Sequence, residues 1–170
     1  MTDQYLRTAY SSAATLTIAN ANIASSKTAG WQSDGLDFTS PANLIDVLFQ
    51  AKFAAVNTAP GNTRAIYFHF CPLIDVAGSD YTSSGDGSPS GTEGTITLPD
   101  FSTLEVVAPR LGRVPYPVQN KAIVSPVFSL KKACGGIIPP KGVVLMCNDS
   151  GMTLNVSWMK IIRIWASIGA

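Results

Sequence analysis

The sequence predicts an all-β protein, an antiparallel β-sandwich, on three observations. Charged residues make up 14% of the chain, against roughly 25% in an average soluble domain. Glycine and proline recur throughout, 14 and 11 times, so that apolar runs stay short. Those runs are rich in β-branched and aromatic residues and end in turn formers, which is the grammar of many short strands. With 170 residues the chain can build one substantial core but not two comfortable ones. The expected organisation is an N-terminal arm or edge strand over 1–30 and a single β-sandwich domain over 31–170.

Residues 1–30 are small and polar, and only Thr15 to Asn20 alternates like a strand. Such a segment is either an edge strand with loose flanks or an arm lying on a neighbour. In SPANLIDVLFQAKFAAVNTAPGNTR two periods compete. Ile45, Val47, Phe49, Ala51 and Phe53 alternate with mostly polar neighbours, while Leu44, Leu48 and Phe49 also fit a helical stripe opened by Ser40-Pro41. Strand is favoured, because its surroundings are strand and turn and its exit, Ala-Pro-Gly-Asn, reads as a hairpin. RAIYFHFCPL is a strand with bulk on both faces. Gly78 to Thr95 holds no large apolar residue but Tyr81 and reads as a long exposed loop.

From Phe101 onward, STLEVVAP is expected to be a short strand and RLGRVPYPVQN a proline-rich connection. KAIVSPVFSLKKA is expected to be a strand whose proline marks an edge or bulge. CGGIIPPKG is turn-rich. VVLMCN and MTLNVSWMKIIRIW form a closing pair around Asn148-Asp149-Ser150-Gly151, with Gly151 available for a positive φ.

Several function classes are excluded by what the chain lacks. A net charge of +1, with no basic cluster beyond Lys131-Lys132, argues against a nucleic-acid partner. No apolar run approaches the ~20 residues of a membrane-spanning helix, so no membrane partner is expected. MTDQYLRTAYSS, with Asp3 and no apolar stretch, does not read as a signal peptide. Cys71, Cys134 and Cys147 lack metal-ligand spacing and are expected as buried free thiols, in keeping with a reducing cytoplasm. One histidine cannot supply a metal site of the two- or three-histidine kind. His69 and Cys71 share a strand face, but the backbone holds alternate residues roughly 7 Å apart, too far for nucleophile activation. Asp75, Asp80, Asp86 and Glu93 match no EF-hand spacing, and Gly85, Gly87 and Gly91 make no dinucleotide fingerprint. The Asn-x-Ser matches at Asn148 and Asn155 mean little without a secretory signal. No catalytic residue, metal ligand or cofactor is expected, and the chain does not read as an enzyme.

The last run raises a different question. Its first half is a half-buried strand, with Met152, Leu154 and Val156 on one face and Thr153, Asn155 and Ser157 on the other. From Met159 both faces are apolar, since Met159, Ile161 and Trp165 join the formerly polar set. A sandwich strand open to water keeps its outer face polar, so something covers this one: a loop such as GRVPYPVQN, or another chain. The low charge favours another chain, and a homo-oligomer is expected. The candidate interface residues are Tyr5, Tyr10, Trp31, Met159, Ile161 and Trp165.

FSLKKACGGIIPPKGVVLMCNDSGMTLNVSW, residues 128–158, resembles the C-terminal half of small tailed-bacteriophage virion proteins encoded beside the major capsid protein. The shared features are Gly135-Gly136, the Ile138-Pro139 step, the apolar strand Val143 to Cys147, and Asn148 to Gly151 before a closing strand. DVLFQAKFAAVNTAPGNTRAIYFHF is similar to their paired strands around a Thr-x-Pro turn. The likeness extends loosely over residues 30–165 and lies in turn grammar, while the Gly-Ser-Pro material at 83–94 departs from it. The resemblance implies a jelly-roll-like sandwich that forms dimers or trimers, decorates a capsid and contacts the major capsid protein in the virion, after synthesis in the host cytoplasm. It also admits a head-fibre or tail-associated module, or one binding host-surface carbohydrate through Trp31, Tyr81 or Tyr116.

Overall fold

The sheets that the alternating runs imply are present in the computed structural model, which describes residues 5–16, 22–55, 65–73, 89–98, 101–115 and 121–169. In chain order its strands are β1 (Tyr5–Tyr10), β2 (Ala14–Leu16), β3 (Asn22–Ile23), β4 (Ala29–Gln32), β5 (Leu36–Asp37) and β6 (Leu44–Ala55). Then come β7 (Ala65–Pro72), β8 (Gly94–Thr97), β9 (Arg110–Pro115), β10 (Ala122–Val124), β11 (Phe128–Ser129), β12 (Lys141–Asn148) and β13 (Leu154–Gly169). Two short helices, α1 (Phe101–Val107) and α2 (Leu130–Ala133), interrupt them.

Sheet A has the order β1-β13-β6-β10, with β11 also on β6 and β2 and β3 on β13. Sheet B has the order β8-β4-β12-β7-β9, with β5 on β12. Every pairing is antiparallel. The fold is an all-β sandwich, as predicted. Its main core lies between the sheets, where Val47, Phe49 and Phe53 of β6 meet Phe68 and Phe70 of β7 and Val144 and Met146 of β12. Phe49 and Phe68 stand 5.1 Å apart, tilted, and Phe128 closes on both at 6.4 and 5.9 Å.

Period two prevails over the helical stripe at residues 44–55. β6 is central in its sheet, so its even positions lie on the solvent side and its odd ones in the core. Asn43 enters the strand at φ 62°, a left-handed conformation that asparagine tolerates.

β7 is bulky on both sides because both sides are covered. Tyr67, Cys71 and their neighbours Val143, Leu145 and Cys147 on β12 form a second, smaller core with Leu98, Leu104 and Ala108. That second core corrects the expectation for STLEVVAP, which is the helix α1. Leu104 and Ala108 lie one turn apart, the Ala108 N–H donates to the Leu104 carbonyl at 2.8 Å, and both side chains are buried on the outside of sheet B. A helix this short is unstable alone, so the sheet face it covers overrides its β-branched composition.

Two further expectations are corrected downstream. RLGRVP is not a connection but β9, an edge strand on β7, and Pro115 ends it where a missing N–H costs nothing. Gly112 within it leaves the room that the Phe128 ring occupies. KAIVSPVFSLKKA is not one strand: it divides into β10, β11 and α2. Ser129 caps α2 by accepting from the Lys132 N–H at 3.0 Å. The Asp46 carboxylate accepts from the Ser129 hydroxyl at 2.6 Å and the Lys131 N–H at 3.0 Å, which satisfies donors at the start of the helix.

The N-terminal segment, in its described part, takes the edge-strand form. β1, β2 and β3 run in relay along β13, opposite residues 164–169, 159–161 and 154–155. Most of the loop expected over 78–95 lies outside the described residues. Its far end is fastened: Gln32 and Ser90 exchange two hydrogen bonds, of 2.7 and 3.0 Å, before β8 pairs with β4.

The closing turn is held by a buried asparagine. Asn148 donates to the Ile23 and Met152 carbonyls at 2.9 and 2.7 Å. Its Oδ1 accepts from the Ser150 N–H and hydroxyl at 3.1 and 2.6 Å. Gly151 has φ 79°, as the turn grammar required.

Candidate interaction surface

The side chains with catalytic potential are used for packing. His69 sits beneath α1, with Nδ1 3.0 Å from the Ala108 carbonyl and Nε2 buried without a hydrogen-bond partner. Burial holds its pKa below the ordinary 6.5, the nearby Arg110 charge adds to that, and the Ala108 carbonyl opposes it. Cys71 and Cys147 are buried, Cys134 is half-buried, and none of the three is in a disulfide. Burial pushes Cys147 up to about 12 and Cys134 up to about 11, away from nucleophilic reactivity at neutral pH. Among the described residues no three His, Cys, Asp or Glu side chains converge as a metal site would require, and no helix is long and apolar enough to cross a membrane. Glu93 accepts from the Trp31 indole N–H at 2.7 Å. Asp75, Asp80, Asp86, Tyr81 and Tyr116 lie outside the described residues.

Of the six candidate interface residues, three are core. Trp31 is 0% exposed, which also removes it from any sugar platform. Met159 is 0% and Ile161 3% exposed, covered by the protein's own second sheet. The physical reason is a β-bulge. Val156 pairs with Phe53 and Trp158 with Lys52, which leaves Ser157 as an extra residue on β13. An extra residue exchanges the faces of everything beyond it. Met152 and Leu154 therefore point into the sandwich before the bulge, and Met159 and Ile161 after it. Trp165 is half-buried and lies between Ala9 and Leu44. Tyr10 is 65% exposed, and the Tyr5 backbone pairs with Gly169.

The same bulge turns a different set outward. Trp158, Lys160, Ile162 and Ile164 lie opposite Lys52, Gln50, Leu48 and Asp46 on the solvent side of sheet A, and Tyr10 continues the row opposite Ile164. Ile162, Leu48 and Trp158 line a shallow groove of about 290 Å³ with Val127 at its rim. The Lys160 ammonium sits 5.0 Å from the Trp158 ring centroid, within cation–π range, so it covers part of the indole and keeps the face from being wholly apolar. Val124 at the end of β10 and Val127 just beyond it, 50% and 55% exposed, extend the surface.

Sequence reasoning missed Trp158, Ile162 and Ile164 because unbroken alternation from Met152 assigns them to the core. The available signal was the simultaneous change of both faces at Ser157-Trp158, where two apolar sets trade places. A scan of protein-family models and a search of curated proteins each found no match to this chain.

Proposed function

We propose that this chain is a structural virion protein that decorates and stabilises a bacteriophage capsid through non-covalent contacts, the outer face of sheet A resting on the major capsid protein. One observation carries the proposal: Trp158, Ile162, Ile164 and Leu48 stand on a sheet face where a water-facing sandwich keeps polar residues. The likeness of residues 128–158 to phage virion proteins supplies the kind of partner, and the jelly-roll order and virion location belong to the same proposal. From Trp158 to Ile164 the face runs roughly 20 Å, and four strands make it roughly 19 Å wide. That is about half the ~800 Å² per partner of a standard interface. Single contacts of this size are weak, and occupancy on a shell then depends on many copies or on joined copies.

The test is co-sedimentation with expanded capsids of the phage that encodes the chain. Ile162→Glu places a charge on the face without touching the core and should reduce occupancy at least about tenfold, with thermal stability retained. Undiminished occupancy would refute the assignment of this face. Glycan binding by a protein that does not associate with capsids would support the carbohydrate-binding alternative instead.

A further inference from the structure

The outer edge of β1 has few of the devices by which sheets avoid joining other sheets, the exposed Arg7 being its one charge. It has no proline or glycine, pairs with β13 through six residues without a register break, and has no strand on its other side among the described residues. Its end is also unsupported. β6 begins at Leu44, opposite Trp165, and Asn43 still accepts from the Ala166 N–H, so residues 167–169 and their partners 5–7 continue as a two-stranded ribbon past the sheet. Two-stranded ribbons are marginal in water, and this one carries Leu6 at 77% exposure.

Hydrogen-bond directions along β1 follow from one bond. The Ser11 N–H donates to the Arg163 carbonyl at 2.9 Å, which makes 11 and 163 a hydrogen-bonded pair. By alternation Ala9 and Arg7 also bond to β13, and the N–H groups of Leu6, Thr8 and Tyr10 point away from it. The Ala166 N–H, opposite Thr8, donates to Asn43 on the far side at 3.0 Å, as that alternation requires.

We propose that the protein is a two-fold dimer in which β1 pairs antiparallel with β1 of a second copy, centred on Thr8, so that sheet A runs unbroken across both copies. This register is self-complementary. Thr8 faces Thr8 of the other copy, and Leu6 faces Tyr10, so two exposed apolar side chains cover one another. Arg7 faces Ala9, so no like charges oppose, whereas a register centred on Arg7 would set two guanidiniums together. Outward groups at Leu6, Thr8 and Tyr10 give about six hydrogen bonds across the junction. A two-fold axis normal to the sheet leaves both outer faces on the same side. The joined platform is then roughly the ~800 Å² of a standard interface, which one copy alone does not reach. The inference rests on the reading of the protein as a homo-oligomer but not on its place in the virion.

The test is the solution mass of the full chain by analytical ultracentrifugation over a dilution series. Thr8→Pro deletes an edge N–H while sparing the bonds from Arg7 and Ala9 to β13, and Leu6→Lys alters a side chain already in solvent. The expected result is a dimer whose dissociation constant rises at least about tenfold in each variant, with circular dichroism unchanged. A monomer or a trimer at every concentration overturns the proposal, as does a dimer insensitive to both substitutions. Capsid co-sedimentation is read separately: a dimer that ignores capsids refutes the virion role and leaves the edge pairing intact.

Discussion

Ile161 and Ile162 are neighbours in sequence and identical in chemistry, and the bulge at Ser157 assigns them opposite fates. Truncating each to alanine removes the same three carbons. Ile161 is 3% exposed and lies in the core beside Phe49. At about 0.8 kcal/mol per buried carbon its truncation forfeits about 2.4 kcal/mol of transfer energy, and the cavity raises the loss to about 3–4 kcal/mol. Ile162 is half-buried on the open face, so it loses about 1 kcal/mol and leaves no enclosed cavity. Guanidinium unfolding at one fixed protein concentration measures both, with the slope unchanged if only stability has moved. For a chain of this size each kcal/mol lowers Tm by about 2–4 °C, so Ile161→Ala should melt about 4–12 °C below Ile162→Ala. Equal losses, or the reverse order, would mean that β13 alternates without a bulge and that the outer face has been misassigned.

Two further outcomes follow from buried titrating groups. Because the native state holds His69 below 6.5, the unfolded chain takes up a proton that the folded chain resists. The stability of the neutral imidazole is therefore complete above about pH 6.5 and is lost as pH falls from there toward the folded value. Unfolding midpoints between pH 8 and 5 should decline on the acid side, and His69→Gln should flatten that decline; an unaltered slope would refute it. At pH 8, iodoacetamide should alkylate half-buried Cys134 slowly and Cys147 only after denaturation, as read by peptide mass spectrometry. Rapid labelling of native Cys147 would contradict its burial.

Alternation and turn residues were enough to read the sandwich, because β6, β7, β12 and the Asn148 turn follow local rules that burial reinforces. α1 escaped because Ser102 to Val107 is β-branched and mildly apolar, and only the sheet face beneath Leu104 makes a helix the better solution. β9 escaped because Pro115 and Gly112 resemble loop chemistry, although both suit an edge strand pressed by Phe128. Along β13 the interface set went wrong at a single residue. Up to Val156 the face assignment was legible; past Ser157 it inverted, so Met159 and Ile161 were placed outside and Ile162 inside. A bulge leaves only a parity change in the sequence, and a subunit contact produces the same mark. Tyr10 is exposed because β1 is an edge strand, one of the two forms that the small, polar N-terminal composition allowed.

The chain of pairings in sheet A also dictates a timetable. β6 is made well before β13, its long partner, and β1 through β3 pair with no other strand among the described residues. For much of synthesis the nascent chain therefore carries Val47, Phe49 and Phe53 without their sheet partner. Completion of sheet A therefore waits on β13, which draws residues 5–16 and 22–23 against it from far away in sequence.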